Sequence, residues 1–185
     1  MSISATDVKK LRDMTGAGMM DAKKALTETN SDFEAAVKYL REKGLADSKK
    51  REDKEANQGT IGDYIHYQQD RAVSGVLVEL ACETDFVAKS EEFKESAKQI
   101  AMHIAAMKPN YLNIEDIPEA KLNEEKDIIV KQSENEGKPP EVIEKIVEGR
   151  IISFYKDSVL NEQIFCNPEI YDGKVSTMIE EMSGK

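Results

Sequence analysis

Among the side chains able to do chemistry, those of Glu83-Thr84-Asp85-Phe86-Val87-Ala88-Lys89 hold the most informative position. The stretch lies between the end of a hydrophobic strand pattern and the start of a helical one, and connections of this kind concentrate binding and catalytic residues. Its chemistry would be recognition: Phe86, projecting beside Asp85, offers a ring that can fill a pocket on another protein. The competing reading folds Phe86 and Val87 back as a hydrophobic staple on the next helix. Covalent chemistry has little to work with. Cys82, Cys166, His66 and His103 are dispersed along the chain and show no metal-ligand spacing; His103 falls in an apolar helix pattern and His66 in a strand, so both histidines read as structural. Glycine-rich phosphate loops, H-E-x-x-H and G-x-S-x-G are absent from the sequence. An enzyme, a bound metal and a cofactor are therefore not expected.

The elements that must position this stretch belong to a chain of 185 residues, enough for one medium domain and a small one. Its composition, 39% hydrophobic and 34% charged, is that of a folded globular protein. The net charge of −10, from 36 acidic and 26 basic side chains, argues against direct nucleic-acid binding, which phosphate neutralisation by Lys and Arg would drive. Apolar runs are short and no signal-peptide pattern opens the chain, so a cytoplasmic protein with no membrane contact is expected. Two cysteines in a chain this long fit a reducing compartment.

Residues 1–45 read as three short helices. Ser4-x-x-Asp7 has the form of a capping box ahead of Val8, Leu11 and Met14, and Thr15-Gly16-Ala17-Gly18 breaks the first helix. The second runs from about Met19 to Thr29 with Ala22, Ala25 and Leu26 on one stripe. Ser31-x-x-Glu34 is a second capping box, opening a helix through Phe33, Ala36, Val37 and Leu40 that Gly44 is placed to stop. Met19 and Met20 are adjacent, about 100° apart on a helix, so at least one is exposed as an adaptable contact. The plainer reading packs one inside and leaves the other without a role.

Residues 46–58 form a polar linker in which Lys49, Lys50, Arg51 and Lys54 are balanced by Asp47, Glu52, Asp53 and Glu55. Residues 59–185 follow as an α+β core. Ile61, Ile65 and Tyr67 alternate with Gly62, Tyr64 and His66, leaving Asp63 on the apolar face; after Gln68-Gln69-Asp70-Arg71 the second strand puts Val76, Val78, Leu80 and Cys82 on one side. The hairpin needs a partner, and Phe93, Ala97, Ile100, Ile104 and Met107 supply an amphipathic helix that Pro109 ends, with Glu91 and Glu92 in its first turn. Two further helices are expected over about 118–133, closed by Asn135-Glu136-Gly137, and from Pro140 to about Val159. The tail from Asn161 reads as irregular, with a short helix over Ser176–Met182.

Four segments, in order, closely resemble the bacterial elongation factor Ts family: Leu11 through Leu26, Glu83 through Lys89, Ala101 through Pro109, and Gly137 through Arg150. The resemblance implies a guanine nucleotide exchange factor for elongation factor Tu, in its GDP-bound and nucleotide-free forms. It implies a ubiquitin-associated-like fold for the N-terminal bundle. Arg12, Met19 and Met20 match family contact positions. Asp85 and Phe86 match the pair that reaches towards the nucleotide site, flanked by Thr84 and Val87, with the ring wedged so as to disturb magnesium and phosphate contacts. The chain resembles a short form lacking the coiled-coil insertion and second core subdomain of longer members, and short forms are expected to pair as a homodimer. Residues 167–185 match poorly. Two rival classes remain, a ubiquitin-binding-type adaptor, which would not need Asp85-Phe86, and an RNA-binding translation protein, which would need a basic face.

Overall fold

A computed structural model of the chain describes residues 3–49 and 55–183, with side chains over 3–44 and 55–183. It divides into two compact units, Met1–Lys54 with Thr177–Lys185, and Glu55–Ser176. The linker expected over 46–58 falls partly on residues 50–54, which lie outside the described residues.

The first unit is helical. α1 (Ala5–Thr15) starts at Ser4, whose hydroxyl accepts from the Asp7 N–H and donates to the Asp7 carboxylate at 2.6 Å. Gly16 ends it in the left-handed region, φ 70°, donating its N–H to the Arg12 carbonyl. α2 (Met19–Glu28) and α3 (Phe33–Lys49) complete the bundle around Val8, Leu11, Ala22, Ala25, Leu26, Ala36 and Leu40. Two expectations are corrected here. Ser31 does not cap α3: it sits at φ 68°, and Asp32 instead accepts from the Ala35 N–H at 3.0 Å. Nor does Gly44 stop the helix, which continues to Lys49. A glycine only weakens a helix interior, by about 1 kcal/mol, and the stop needs a positive φ that Gly44 does not adopt.

In the second unit β1 (Gln58–Gln68) and β2 (Arg71–Cys82) form the expected antiparallel hairpin, turning at Gln69-Asp70. α4 (Asp85–Lys89) and α5 (Glu91–Met107) follow directly. α5 covers one face of the hairpin through Phe93, Ala97, Ile100 and Ala101. The β1 face assignment is corrected. Ile61, Ile65 and Tyr67 are exposed, and Gly62 is buried. Register explains this, since Thr60, Gly62 and Tyr64 oppose Leu80, Val78 and Val76 and share their face. A Cβ on Gly62 would lie 2.3 Å from the Ala97 carbonyl carbon and oxygen, so α5 approaches closest where β1 has no side chain.

α6 (Glu119–Asn135) and α7 (Pro140–Ser158) pack on each other across a tight connection, with Gly137 at φ 69° after α6 and Pro140 opening α7. The chain then returns along α5. Buried His103 stacks on Phe165, its Nε2 2.9 Å from Gln163 Oε1, while the Cys166 N–H donates to its Nδ1 at 3.1 Å. α8 (Val175–Ser183) is the short terminal helix. Within the first unit its Glu181 pairs with Arg41 of α3. The architecture is α+β, as expected.

Candidate functional site

α4 is a one-turn helix where the sequence suggested only a connection. Five residues cannot sustain a helix by propensity, since nucleation dominates at that length. Polar closures at both ends hold it instead. The Thr84 hydroxyl accepts from the Val87 N–H at 3.4 Å, and the buried Cys82 thiol donates to the Thr84 carbonyl at 3.2 Å. At the other end Ser90 donates to the Val87 carbonyl twice, from its hydroxyl at 2.9 Å and its N–H at 3.0 Å. The same hydroxyl accepts from the Phe93 N–H at 3.3 Å and so caps α5. Of α4 only Ala88 is buried. One methyl contributes about 0.8 kcal/mol, whereas each hydroxyl cap contributes about 1 kcal/mol. The caps therefore fix α4 together with its packing on the hairpin and α5.

The result is a rigid mount for an exposed ring. Phe86 is 84% accessible and Val87 44%, so neither folds back as a staple on α5. Asp85 is paired with Lys89 at 2.7 Å, one turn along the helix. Thr84, Asp85, Phe86 and Val87 thus sit together on one closed turn at the end of β2. A large apolar side chain held out in water beside a carboxylate can recognise a pocket but cannot by itself make or break bonds.

Arg12, Met19 and Met20 lie in the first unit, at the end of α1 and the start of α2. Arg12 is half-exposed and 3.3 Å from the Asp13 carboxylate, and Met19 and Met20 are 46% and 76% accessible. Both methionines face outward, so neither packs inside. Beside them a groove of about 350 Å³ runs among Met14, Gly18, Asp21, Leu40, Arg41 and Glu181. Sequence reasoning missed Ser90, although a serine directly before Glu91-Glu92 carries the ordinary N-cap signal. It also missed the outward face of the hairpin, where Ile61, Ile65 and Leu77 are exposed.

Among the described residues, burial shifts two titratable groups of the second unit, Cys166 and His103. Burial pushes the Cys166 thiol above its ordinary range, disfavouring the nucleophilic thiolate, although a backbone hydrogen bond opposes this. Burial likewise holds His103 below the usual histidine value, against the opposing hydrogen bond to Gln163. Among the described residues no three His, Cys, Asp or Glu side chains converge as metal ligands, and no helix is long and apolar enough to cross a membrane.

Comparison with known proteins matches residues 3–185 to the family described as Elongation factor TS. The chain is 54% identical over 163 residues to Elongation factor Ts of Coprothermobacter proteolyticus, covering 88% of this chain and 81% of that protein. It is 49% identical to that of Moorella thermoacetica over 183 residues, 99% and 88% of the two chains. It is 47% identical to that of Syntrophus aciditrophicus over 185 residues, covering 100% and 90%.

Proposed function

The chain belongs to the elongation factor Ts family, and on that premise we propose that it is a guanine nucleotide exchange factor for elongation factor Tu. In this reading Phe86 enters the GTPase domain of the partner and disturbs the magnesium and phosphate contacts that hold GDP. The observation that carries it is Phe86 itself, 84% accessible on a turn closed at both ends. A pre-ordered ring loses little freedom on binding, so more of its contact energy goes into deforming the partner. Asp85 and Val87 flank the ring, and Thr84 holds the turn from which they project. Arg12, Met19 and Met20 form a separate contact that adds affinity, with the methionines adapting to the surface they meet.

The mechanism is reciprocal coupling. A factor that binds nucleotide-free partner more tightly than GDP-bound partner must weaken GDP by the same ratio. It favours a state in which the phosphates are poorly held, without touching them and without deciding which nucleotide replaces GDP. Exchange in this manner requires no covalent chemistry, and its place is the cytoplasm, where the partner works.

The same reading includes a homodimer. Its support is the hairpin face opposite α5, where Ile61, Ile65, Tyr67 and Leu77 stand exposed around the carboxylates of Asp63 and Glu79. A largely apolar sheet face left open by the described residues of this unit marks an association surface, and a second copy brings an identical one.

The test is the release of a fluorescent GDP analogue from elongation factor Tu. The native chain accelerates release, and Phe86→Ala, folded by circular dichroism, loses most of the acceleration, about 10²-fold. Partial binding persists through the first unit. A folded Phe86→Ala chain with native release would remove the wedge; no acceleration by the native chain would remove the exchange reading.

A further inference from the structure

We propose that Ser90 is a positioning residue for exchange, locking α4 to α5 and so setting the direction in which Phe86 and Asp85 project. The inference rests on the exchange reading above and deepens it, by naming a residue that acts on the wedge through its neighbours.

Three observations converge on this one hydroxyl. Ser90 closes one helix and caps the next, extended at φ −67° and ψ 142° between them. Its oxygen donates to the Val87 carbonyl at 2.9 Å and accepts from the Phe93 N–H at 3.3 Å, so one atom joins the closing turn of α4 to the opening turn of α5. Phe93 is buried and lies in the α5 face that packs on the hairpin. The connection therefore runs from the core, through Phe93 and Ser90, to Val87, the neighbour of Phe86.

α4 also packs on β1 and β2, but Ser90 is what ties the exit of its turn to α5 by hydrogen bonds. Ala88 is its single buried residue, and Val87 is exposed. The Asp85–Lys89 pair lies within α4 and moves with it. Thr84 and Cys82 fix the entry to the turn but not its exit. Without the Ser90 hydroxyl, only its N–H would still hold the Val87 carbonyl, and the Phe93 N–H would face water. The ring would remain exposed, yet it would sample many directions, and each encounter with a pocket would carry the cost of ordering it.

The chain contains no tryptophan. Phe86→Trp therefore places a single indole reporter on α4, and its anisotropy decay reads local order in the free protein. GDP-analogue release is followed in chains that keep Phe86. Ser90→Ala is expected to enlarge the fast component of the indole decay and to lower the maximal release rate about tenfold. The concentration giving half-maximal release rises by less than the rate falls, because the contact at Met19 and Met20 is intact. Ser90→Thr, which keeps the hydroxyl, restores both readouts. Should Ser90→Ala fold poorly, Ser90→Gly replaces it, since glycine is well tolerated at a helix cap; the same losses are expected.

Native order of the indole in Ser90→Ala and Ser90→Gly would overturn the lock. So would lost order with a native release rate. If the unaltered chain fails to accelerate release, the exchange reading falls on its own, and the indole decay still decides whether Ser90 orders α4.

Discussion

His103 is held in one protonation state by its neighbours. With Nδ1 accepting from the Cys166 N–H, the proton must sit on Nε2 and be donated to Gln163 Oε1, whose own amide donates to the Asp157 carbonyl at 2.8 Å. Protonating Nδ1 would set two donors against each other in a fully buried site. Burial, the larger effect, lowers the His103 pKa below its ordinary value of about 6.5. The unfolded chain therefore takes up the proton first as pH falls. Stability from this group is present above about pH 6.5 and is lost as pH drops towards the folded value, at up to about 1.4 kcal/mol per pH unit. Denaturant unfolding between pH 7.5 and 5 checks this: His103→Gln should lose part of the pH dependence of the native chain. An unchanged slope would mean that His103 is not the group responsible. The sequence placed His103 on an apolar helix and read it as structural. It could not supply the partners, which arrive from about 60 residues further along the chain.

The hairpin and α5 show how far periodicity carries. Both strands and the helix were legible because apolar residues recur at two and at three to four positions. The side of β1 that faces the helix was not legible, because both of its faces carry apolar residues. The choice falls to Gly62, beside Ala97, where α5 comes closest. Gly62→Ala is accordingly expected to destabilise this unit by about 1–3 kcal/mol, because the new methyl would meet backbone that cannot turn aside. Gly149→Ala on α7 is the control: its Cβ meets nothing within 4 Å, and helix propensity should stabilise it by about 0.5–1 kcal/mol. Urea unfolding of the two variants decides the point, and equal effects would refute the packing argument. α4 lies beyond periodicity altogether. A five-residue helix has no repeat to detect, and it exists through Thr84 and Ser90.

Among the described residues, the second unit has a two-stranded sheet that α5 covers on one face. Such hairpins gain stability from covering both faces, and Leu77, 76% accessible and opposite Asp63, lies in the uncovered one. If a second copy covers it, Leu77→Asp should convert a dimer to a monomer in sedimentation velocity while leaving the circular dichroism unchanged. A native chain that sediments as a monomer at micromolar concentration would reject the pairing. The proposed wedge at Phe86 and the proposed contact at Met19 and Met20 lie in different units, so their substitutions should be separable in rate and affinity.

By itself the sequence determined the helices of the first unit, the hairpin, the amphipathic α5, the α6–α7 pair and the family, because each is written in local spacing or in contiguous motifs. Only the tertiary structure decided that α3 runs through Gly44, that Gly62 rather than Ile61 faces α5, and that Phe86 stands in water instead of folding back on α5. In each case several local arrangements are nearly equal in energy. For β1 what selects among them is the approach of Ala97 in α5 to Gly62, and side-chain spacing does not encode that.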